Sequence, residues 1–233
     1  SLHPSLSYFD HPPVVGWLAG LFPAITGVIS PFTVRLTSVI LFVFSGLAFY
    51  QLSRQWLTQQ KSKLALLLFN IIPIFGFVAG VMVLPDTSLA FFWILALMAL
   101  REVEKKPDSL KNWLWAALFT GLAMLSKYHG IFIGFGTVLF MIFCRPQWWA
   151  KPYPYLYGVI AFLVAIPVLI WNYQHDFVSF AFQGGRAFSG EIKIHTLLQA
   201  LAGQAAYLTP MAFIPLLFIF KEQFLPVKTD SAV

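Results

Sequence analysis

Charged side chains are scarce in this chain. Asp, Glu, Lys and Arg make up 24 of its 233 residues, or 10%, whereas a soluble domain carries about 25%. Hydrophobic residues reach 59%. So few charges cannot cover the surface of a soluble domain of this size, which excludes an ordinary cytosolic enzyme, a coiled coil and a disordered chain. The composition predicts an integral membrane protein built from helices.

The chain also lacks residues and motifs that mark particular chemistries. Its single cysteine, Cys144, excludes a disulfide framework or a cysteine metal cluster within one chain. It contains no P-loop, no paired-glycine dinucleotide fingerprint, no HExxH and no GxSxG. The net charge of +6 is scattered between apolar runs and forms no basic stripe, so the sequence predicts no nucleic-acid partner.

Apolar runs alternate with charged or proline-containing segments along the whole chain. The first run, 14–29, is short and predicts an interfacial helix behind an outer loop formed by residues 1–13. The prediction is a single all-α, polytopic transmembrane domain over residues 1–233, with about seven spans within 36–220. These spans are Leu36–Leu52, Leu64–Leu84, Leu89–Leu100, Trp113–Leu125, Ile131–Cys144, Tyr155–Trp171 and Thr196–Phe220.

Lys and Arg are unevenly divided between the predicted loops. Eleven of the 15 fall on alternate loops, and the other four are Arg35, Lys127, Arg186 and Lys193. Because cytoplasmic loops carry the excess of Lys and Arg, we expect the N-terminal segment outside and the C-terminus inside. This orientation places four segments on the outer face: Ser1–Pro13, Leu84–Ser88, Lys127–Gly130 and Asn172–His195.

Two outer segments carry a candidate acid. Asp10 and His11 precede Pro12 and Pro13, which fix the backbone before the interfacial helix. The carboxylate can act as a base or hold a metal, and the imidazole can contact a phosphate; a polar start to an interfacial helix is the alternative. Asp86 is costly at membrane depth and therefore marks a site, unless Asp86 or Thr87 only caps the next helix.

The other two outer segments carry candidate cations. Lys127 departs from the charge rule and has His129 beside it, which suits an anionic phosphate, although a snorkelling lysine is the alternative. In the stretch 171–186, Gly184 and Gly185 permit tight backbone and Arg186 can clamp a phosphate. This stretch reads as a gated substrate loop or as an ordinary interfacial loop.

These segments together resemble a known family, the GT-C membrane glycosyltransferases of the dolichyl-phosphate-mannose protein mannosyltransferase and aminoarabinose transferase superfamily. Five motifs match in order and spacing over nearly the whole chain. They are Tyr8-Phe9-Asp10-His11-Pro12-Pro13 with Gly16-Trp17-Leu18, Val34-Arg35-Leu36, Leu84-Pro85-Asp86-Thr87 with Phe91-Phe92-Trp93, Ser126-Lys127-Tyr128-His129-Gly130, and Trp171-Asn172 through Arg186.

The resemblance implies transfer of a sugar from a polyprenyl-phosphate donor to a lipid, glycan or protein acceptor, on the periplasmic side of the bacterial inner membrane. It implies that Asp10 supports the acceptor or binds a cation and that Asp86 orients the sugar or acceptor. The groups expected to bind substrate or its phosphate are Tyr8, His11, Lys127, His129 and Arg186. No cofactor is certain; a divalent cation held by Asp10 and His11 is the one candidate.

The sequence departs from the family in two respects. Members carry an Asp-Glu pair, assigned the base role, upstream of the Tyr-Phe-Asp-His-Pro-Pro segment, and this sequence lacks it. They also continue past the spans seen here, so we expect an incomplete enzyme.

Two other functional classes stay open. A transporter or lipid flippase subunit would line a path with charges, but almost no charge lies mid-span and no repeat relates the two halves. A non-catalytic scaffold predicts that replacing Asp10, Asp86 and Lys127 together alters folding at most.

Overall fold

The computed structural model describes residues 4–188, 194–204, 206, 214 and 218. The residues described contain helices and turns but no strand, which confirms the all-α class. A π-helix, Ile74–Ala79, follows the third helix, and residues 194–204 are also helical. The eight α-helices named by element are α1 (Val14–Thr26), α2 (Pro31–Ser53), α3 (Gln59–Ile71), α4 (Pro85–Lys105), α5 (Leu110–Ser126), α6 (Ile131–Cys144), α7 (Tyr153–Gln174) and α8 (Val178–Phe188).

Hydroxyl side chains mark where several helices begin. At α2, the Thr33 backbone N–H donates to the Ser30 hydroxyl (3.2 Å) and the Ser30 backbone N–H donates to the Thr33 hydroxyl (3.0 Å). This reciprocal pair is a capping box, which satisfies two donors that the helix itself leaves free. Thr58 and Ser109 cap α3 and α5 by accepting one backbone N–H each.

The predicted span Leu64–Leu84 contains Pro73, where the sequence predicts a kink, and the structure breaks the helix there. α3 ends at Ile71, Ile72 is extended, and the π-helix begins after Pro73. Proline disfavours helical backbone at the residue before it and supplies no N–H of its own. The chain therefore turns at Ile72, and the π-helix forms a separate short element beside α3.

Two helices, α2 and α7, are long and apolar enough to cross a membrane by length and composition. α1 and the stretch Tyr128–Cys144 are apolar but shorter. The last predicted span, Thr196–Phe220, lies largely outside the described residues. These helices fit a membrane protein, whereas the count of seven spans stays a prediction.

α5 lies at the centre of the bundle, between α4 and α7. Close packing is possible because the contact surfaces carry small side chains, and Ala96, Ala116, Ala117 and Ala123 have no exposed area. At the end where α5 begins, the Trp113 ring meets the rings of Trp148 and Tyr157 edge-on, with centroids 5.5 and 5.9 Å away.

Charged residues tie helices together at this same end. Glu104 of α4 accepts from Arg101 one turn earlier and from Arg145, whose Nη2 lies 3.2 Å from Glu104 Oε1. Lys151 Nζ donates to Asp108 Oδ1 at 2.5 Å. This group of five residues, the ionic end, joins the α4–α5 turn to the segment between α6 and α7. It lies on the side that the charge rule predicts to be cytoplasmic.

Candidate active site

The four outer segments predicted from sequence meet at the opposite end of the bundle. α8 joins two of the others, because Gln183 Nε2 donates to the Asp10 backbone carbonyl (2.6 Å) and the Phe180 ring lies edge-on to the Tyr128 ring. Lys127, next to Tyr128, reaches the fourth segment through Asp86. We call this end of the bundle the site end.

Asp10 and His11 form a weak pair at the start of α1. His11 Nε2 lies 3.7 Å from Asp10 Oδ2, and the Asp10 side chain is 59% exposed. A turn presents them, in which the Tyr8 backbone N–H donates to the His11 carbonyl (3.1 Å). The Asp10 carboxylate is therefore open to a substrate, while its backbone is held by α8.

Tyr8 packs against the first turn of α1. A methyl group at Gly16 would lie 2.5 Å from the Tyr8 ring, so a larger residue there would displace this side chain. The Ser5 backbone N–H reaches the Tyr8 hydroxyl at 3.4 Å, and Trp17 Nε1 donates to the Ser5 carbonyl at 2.8 Å. These contacts fold residues 5–8 onto α1 and place the Tyr8 side chain beneath the Asp10 turn.

Asp86 and Lys127 form the stronger pair of the site end. Lys127 Nζ lies 2.7 Å from Asp86 Oδ1, across 41 positions of sequence. The Lys127 side chain is 24% exposed and that of Asp86 47%. The alternative that Asp86 or Thr87 caps the next helix is wrong. α4 begins without a side-chain cap, and the Thr87 hydroxyl donates to the Ala79 carbonyl at 2.6 Å instead.

The two remaining candidates are His129 and Arg186. His129 is exposed in the 3-10 turn Tyr128–Gly130, and its ring lies 6.1 Å from the Phe132 ring. Arg186 falls within α8, but its side chain lies outside the described part of the chain. His129 is thus available to solvent at the site end, and the expectation for Arg186 stays a prediction.

The stretch predicted as a long outer loop contains helix α8, so that prediction is wrong over Val178–Phe188. Asn172, which has no exposed area, organises the turn before it. Its side-chain oxygen accepts the Phe180 backbone N–H (3.3 Å), and its carbonyl accepts those of His175 and Phe177. Sequence reasoning missed Asn172 and Gln183 as organisers of the site end, because neither contact is visible from spacing.

An apolar groove opens beside Asp86. Its volume is about 500 Å³, and it is lined by α2, α3, the π-helix and α4. Among its described lining residues, Asp86 alone is charged. The Phe69 ring is part of its lining and stacks on Phe49 and Phe75, with centroids 5.0 Å away in each case. The groove therefore suits an apolar chain whose polar end lies at the Asp86–Lys127 pair.

Comparison with known proteins assigns this arrangement to a family. The profile of the dolichyl-phosphate-mannose-protein mannosyltransferase family matches residues 10–171, well over half of the chain. The chain belongs to this family. The family match extends from Asp10 through almost all of α7 and includes both charged pairs of the site end, whereas Tyr8 and Arg186 fall outside it.

A curated protein that is similar to this chain is the lipid A galacturonosyltransferase RgtD of Rhizobium johnstonii. It is 23% identical over 215 residues, which cover 91% of this chain and 45% of the relative. The chain thus spans about half the length of that relative. No solved structure matches the chain. The family assignment agrees with the resemblance carried by the five sequence motifs.

The residues present give limited support for a metal. The described residues include no group of three His, Cys, Asp or Glu side chains close enough to hold an ion. Asp10 and His11 supply two ligands at most, and the 3.7 Å separation leaves them free to turn toward a third ligand from a substrate. A divalent cation held by Asp10 and His11 stays a prediction.

Proposed function

We propose that this chain carries the reaction centre of a GT-C glycosyltransferase. The enzyme transfers a sugar from a polyprenyl-phosphate donor to a lipid, glycan or protein acceptor, on the periplasmic face of the bacterial inner membrane. One observation carries the proposal: a carboxylate–imidazole pair and a carboxylate–ammonium pair lie at the same end of a helical bundle, and the carboxylate of the second pair lines an apolar groove.

We assign the exposed Asp10 carboxylate as the base, which extends its expected role from supporting the acceptor to taking the acceptor proton. An acceptor hydroxyl attacks the anomeric carbon of the sugar while the bond from that carbon to the phosphate oxygen breaks. The hydroxyl proton passes to a carboxylate oxygen of Asp10, and the bonding electrons leave with the lipid phosphate. Direct attack of this kind inverts the anomeric centre. Exposure of Asp10 supports the assignment, because a base must reach hydrogen-bond distance of the proton it takes.

Lys127 and His11 are assigned to the departing phosphate. Charge develops on that phosphate as the bond breaks, and a fixed cation lowers the barrier by stabilising it. In the structure, Lys127 already forms an ion pair with Asp86. A phosphate at Lys127 would add a second anion beside Asp86, whose other oxygen then accepts a hydroxyl of the sugar. Asp86 thus orients the sugar, and His129, Tyr8 and Arg186 are secondary candidates for substrate contact.

The groove beside Asp86 supports a lipid-linked donor over a nucleotide sugar. Twelve of its thirteen described lining residues are apolar, and it lies between helices whose outward faces are apolar too. A nucleotide would leave its polar groups without partners there, which is costly, whereas an isoprenoid chain buries apolar surface.

The transporter alternative gains no support from the interior of the bundle. The polar side chains that meet between α5, α6 and α7 are Thr120, Thr137 and Tyr157, all uncharged and hydrogen-bonded to one another. The described ion pairs lie at the two ends. Charges at the ends suit chemistry at the surface better than passage of an ion or solute through the bundle.

The test is sugar transfer by the complete natural protein in reconstituted membranes. The first donor and acceptor are polyprenyl-phosphate galacturonate and lipid A, because the curated relative is a lipid A galacturonosyltransferase; polyprenyl-phosphate mannose and aminoarabinose follow. We expect transfer by the wild type and its loss in Asp10→Asn, with Asp108→Asn at the ionic end as the matched control. Transfer at the wild-type rate by Asp10→Asn would disprove the assigned base.

A further inference from the structure

One hydrogen bond joins the wall of the apolar groove to the turn that carries Asp86. The Thr87 hydroxyl donates to the carbonyl of Ala79, eight residues earlier, at 2.6 Å. Thr87 is 3% exposed and Ala79 4% exposed, so water does not compete for this bond. Ala79 is the last residue of the π-helix, and both Ala79 and Asp86 line the groove.

Two other buried hydroxyls of α2 and α4 bond within their own helix. Ser45 donates to the Leu41 carbonyl one turn earlier in α2 (2.7 Å), and Ser88 donates to the Pro85 carbonyl in α4 (3.1 Å). Each satisfies its donor without fixing one element against another. The Thr87 bond differs because its acceptor lies in a separate element, as does that of Thr37, which joins α2 to the Leu18 carbonyl of α1 (2.8 Å). Of these bonds, the one made by Thr87 joins two parts of the groove lining.

The π-helix is itself held tightly against the end of α3. A methyl group at Gly76 would lie 1.9 Å from the Asn70 carbonyl oxygen, so only glycine permits this approach. Phe75 of the π-helix stacks on Phe69 of α3, with ring centroids 5.0 Å apart. The groove wall is therefore fixed on its α3 side by packing, and Thr87 fixes it on its α4 side. π-helical turns occur frequently at functional sites.

We propose that Thr87 is a positioning residue, whose hydroxyl holds the Asp86–Lys127 pair at a fixed position relative to the apolar groove. A lipid phosphate then meets Lys127 only when its chain occupies the groove. The inference rests on the proposed function and deepens it, because it assigns to one residue the coupling between recognition of the chain and recognition of the phosphate.

This coupling has a consequence that general destabilisation does not share. A long isoprenoid chain fills the groove and gains affinity when the groove and Lys127 are correctly positioned relative to each other, whereas a short chain gains little affinity. Loss of the Thr87 bond lets the turn and the wall move independently. It should therefore weaken the binding of long-chain phosphates much more than that of short-chain phosphates.

The experiment measures the dissociation constants of undecaprenyl phosphate and geranyl phosphate for the full chain in lipid nanodiscs. The variants are Thr87→Val, which removes the hydroxyl and keeps the shape, Thr87→Ser, which keeps the hydroxyl, and Ser45→Ala as the matched control. We expect the wild type to prefer undecaprenyl phosphate and Thr87→Val to reduce that preference about tenfold or more, since small misplacements of bound groups have effects of this size. Thr87→Ser and Ser45→Ala should retain the preference.

The outcomes separate this inference from the proposed function. If the wild type shows the preference and Thr87→Val retains it, or loses affinity for both phosphates equally, the role of Thr87 is wrong and the donor class stands. If the wild type does not prefer undecaprenyl phosphate, the lipid-linked donor fails, and the coupling fails with it. Should Thr87→Val not fold, Thr87→Ala removes the same hydroxyl and the same comparison applies.

Discussion

The two ends of the bundle hold similar charged residues in different surroundings. At the ionic end, Glu104 is shared by Arg101 and Arg145, and the two guanidinium groups also lie over the rings of Trp56 and Phe140. At the site end, Asp86 of the Asp86–Lys127 pair lines an open groove, and the carboxylate of the Asp10–His11 pair is largely exposed. The paired side chains of both ends are partly exposed, so the groove beside Asp86, rather than exposure, distinguishes the site end.

The difference shows why residue type alone does not identify a reaction centre. Lys–Asp pairs occur at both ends, as Lys151–Asp108 and as Lys127–Asp86, with similar distances of 2.5 and 2.7 Å. Of these two pairs, the second has its carboxylate in the lining of a groove of ligand size. The ionic end therefore serves as the internal control for the site end.

The largest expected effect is on catalysis, from Asp10→Asn. The amide keeps the shape of the carboxylate and cannot accept the proton of an acceptor hydroxyl. We expect the transfer rate to fall about 100-fold or more, the usual contribution of a positioned base, with an unchanged melting temperature because the side chain is mostly exposed. The measurement is the initial rate of transfer in reconstituted membranes.

Asp108→Asn is the control for this change, since Asp108 is also exposed and paired at the other end. It should leave the transfer rate within about twofold of the wild type, as exposed ion pairs contribute little. Equal losses in the two variants would mean that the comparison between the ends does not separate chemistry from architecture.

The next effect concerns the donor phosphate and Lys127. Lys127→Met keeps the aliphatic length of the side chain and removes the cation, so the donor loses its main charge-assisted contact. We expect kcat/KM for the donor to fall about tenfold or more, against little change for Lys151→Met. The prediction would be contradicted if neither added salt nor Lys127→Met changed kcat/KM for the donor.

Several features of the fold follow from particular residues of the sequence. Low charge and long apolar runs predict helices, and Pro73 marks the break after α3. Lys127 is an exception to the charge rule, and this exception predicts that Lys127 belongs to the site end. The structure then brings Lys127 within 2.7 Å of Asp86, a pairing that no spacing in the sequence predicts.

The sequence misleads at α8 for a physical reason. Gly184 and Gly185 are poor helix formers and indicate a loop, since each costs a helix about 1 kcal/mol. Packing overrides this preference: Phe180 contacts Tyr128, and Gln183 holds the Asp10 backbone. The π-helix escapes prediction as well, because its close contact between Gly76 and Asn70 depends on the three-dimensional path of the chain.

A smaller effect, on stability alone, is expected from Glu104→Gln. The change leaves Arg101 and Arg145 facing each other without the shared carboxylate. Because Glu104 is 28% exposed, solvent screens part of the repulsion, and we expect the free energy of unfolding to fall by about 1 kcal/mol. Thermal unfolding in nanodiscs measures this, and the transfer rate below the melting temperature should be unchanged. A lower transfer rate with unchanged stability would contradict this prediction, because it would show that Glu104 takes part in the reaction.

The smallest effect is expected from Trp56→Leu, which removes only the ring beneath Arg101. The guanidinium carbon lies 5.5 Å from the ring centroid, and Trp56 is 60% exposed. At exposed sites such contacts contribute about 0.5–1 kcal/mol, so the loss of stability should be smaller than in Glu104→Gln. In the double variant the two losses should not add, because both groups act on the same guanidinium. Additive losses would show that Trp56 packs independently of Arg101.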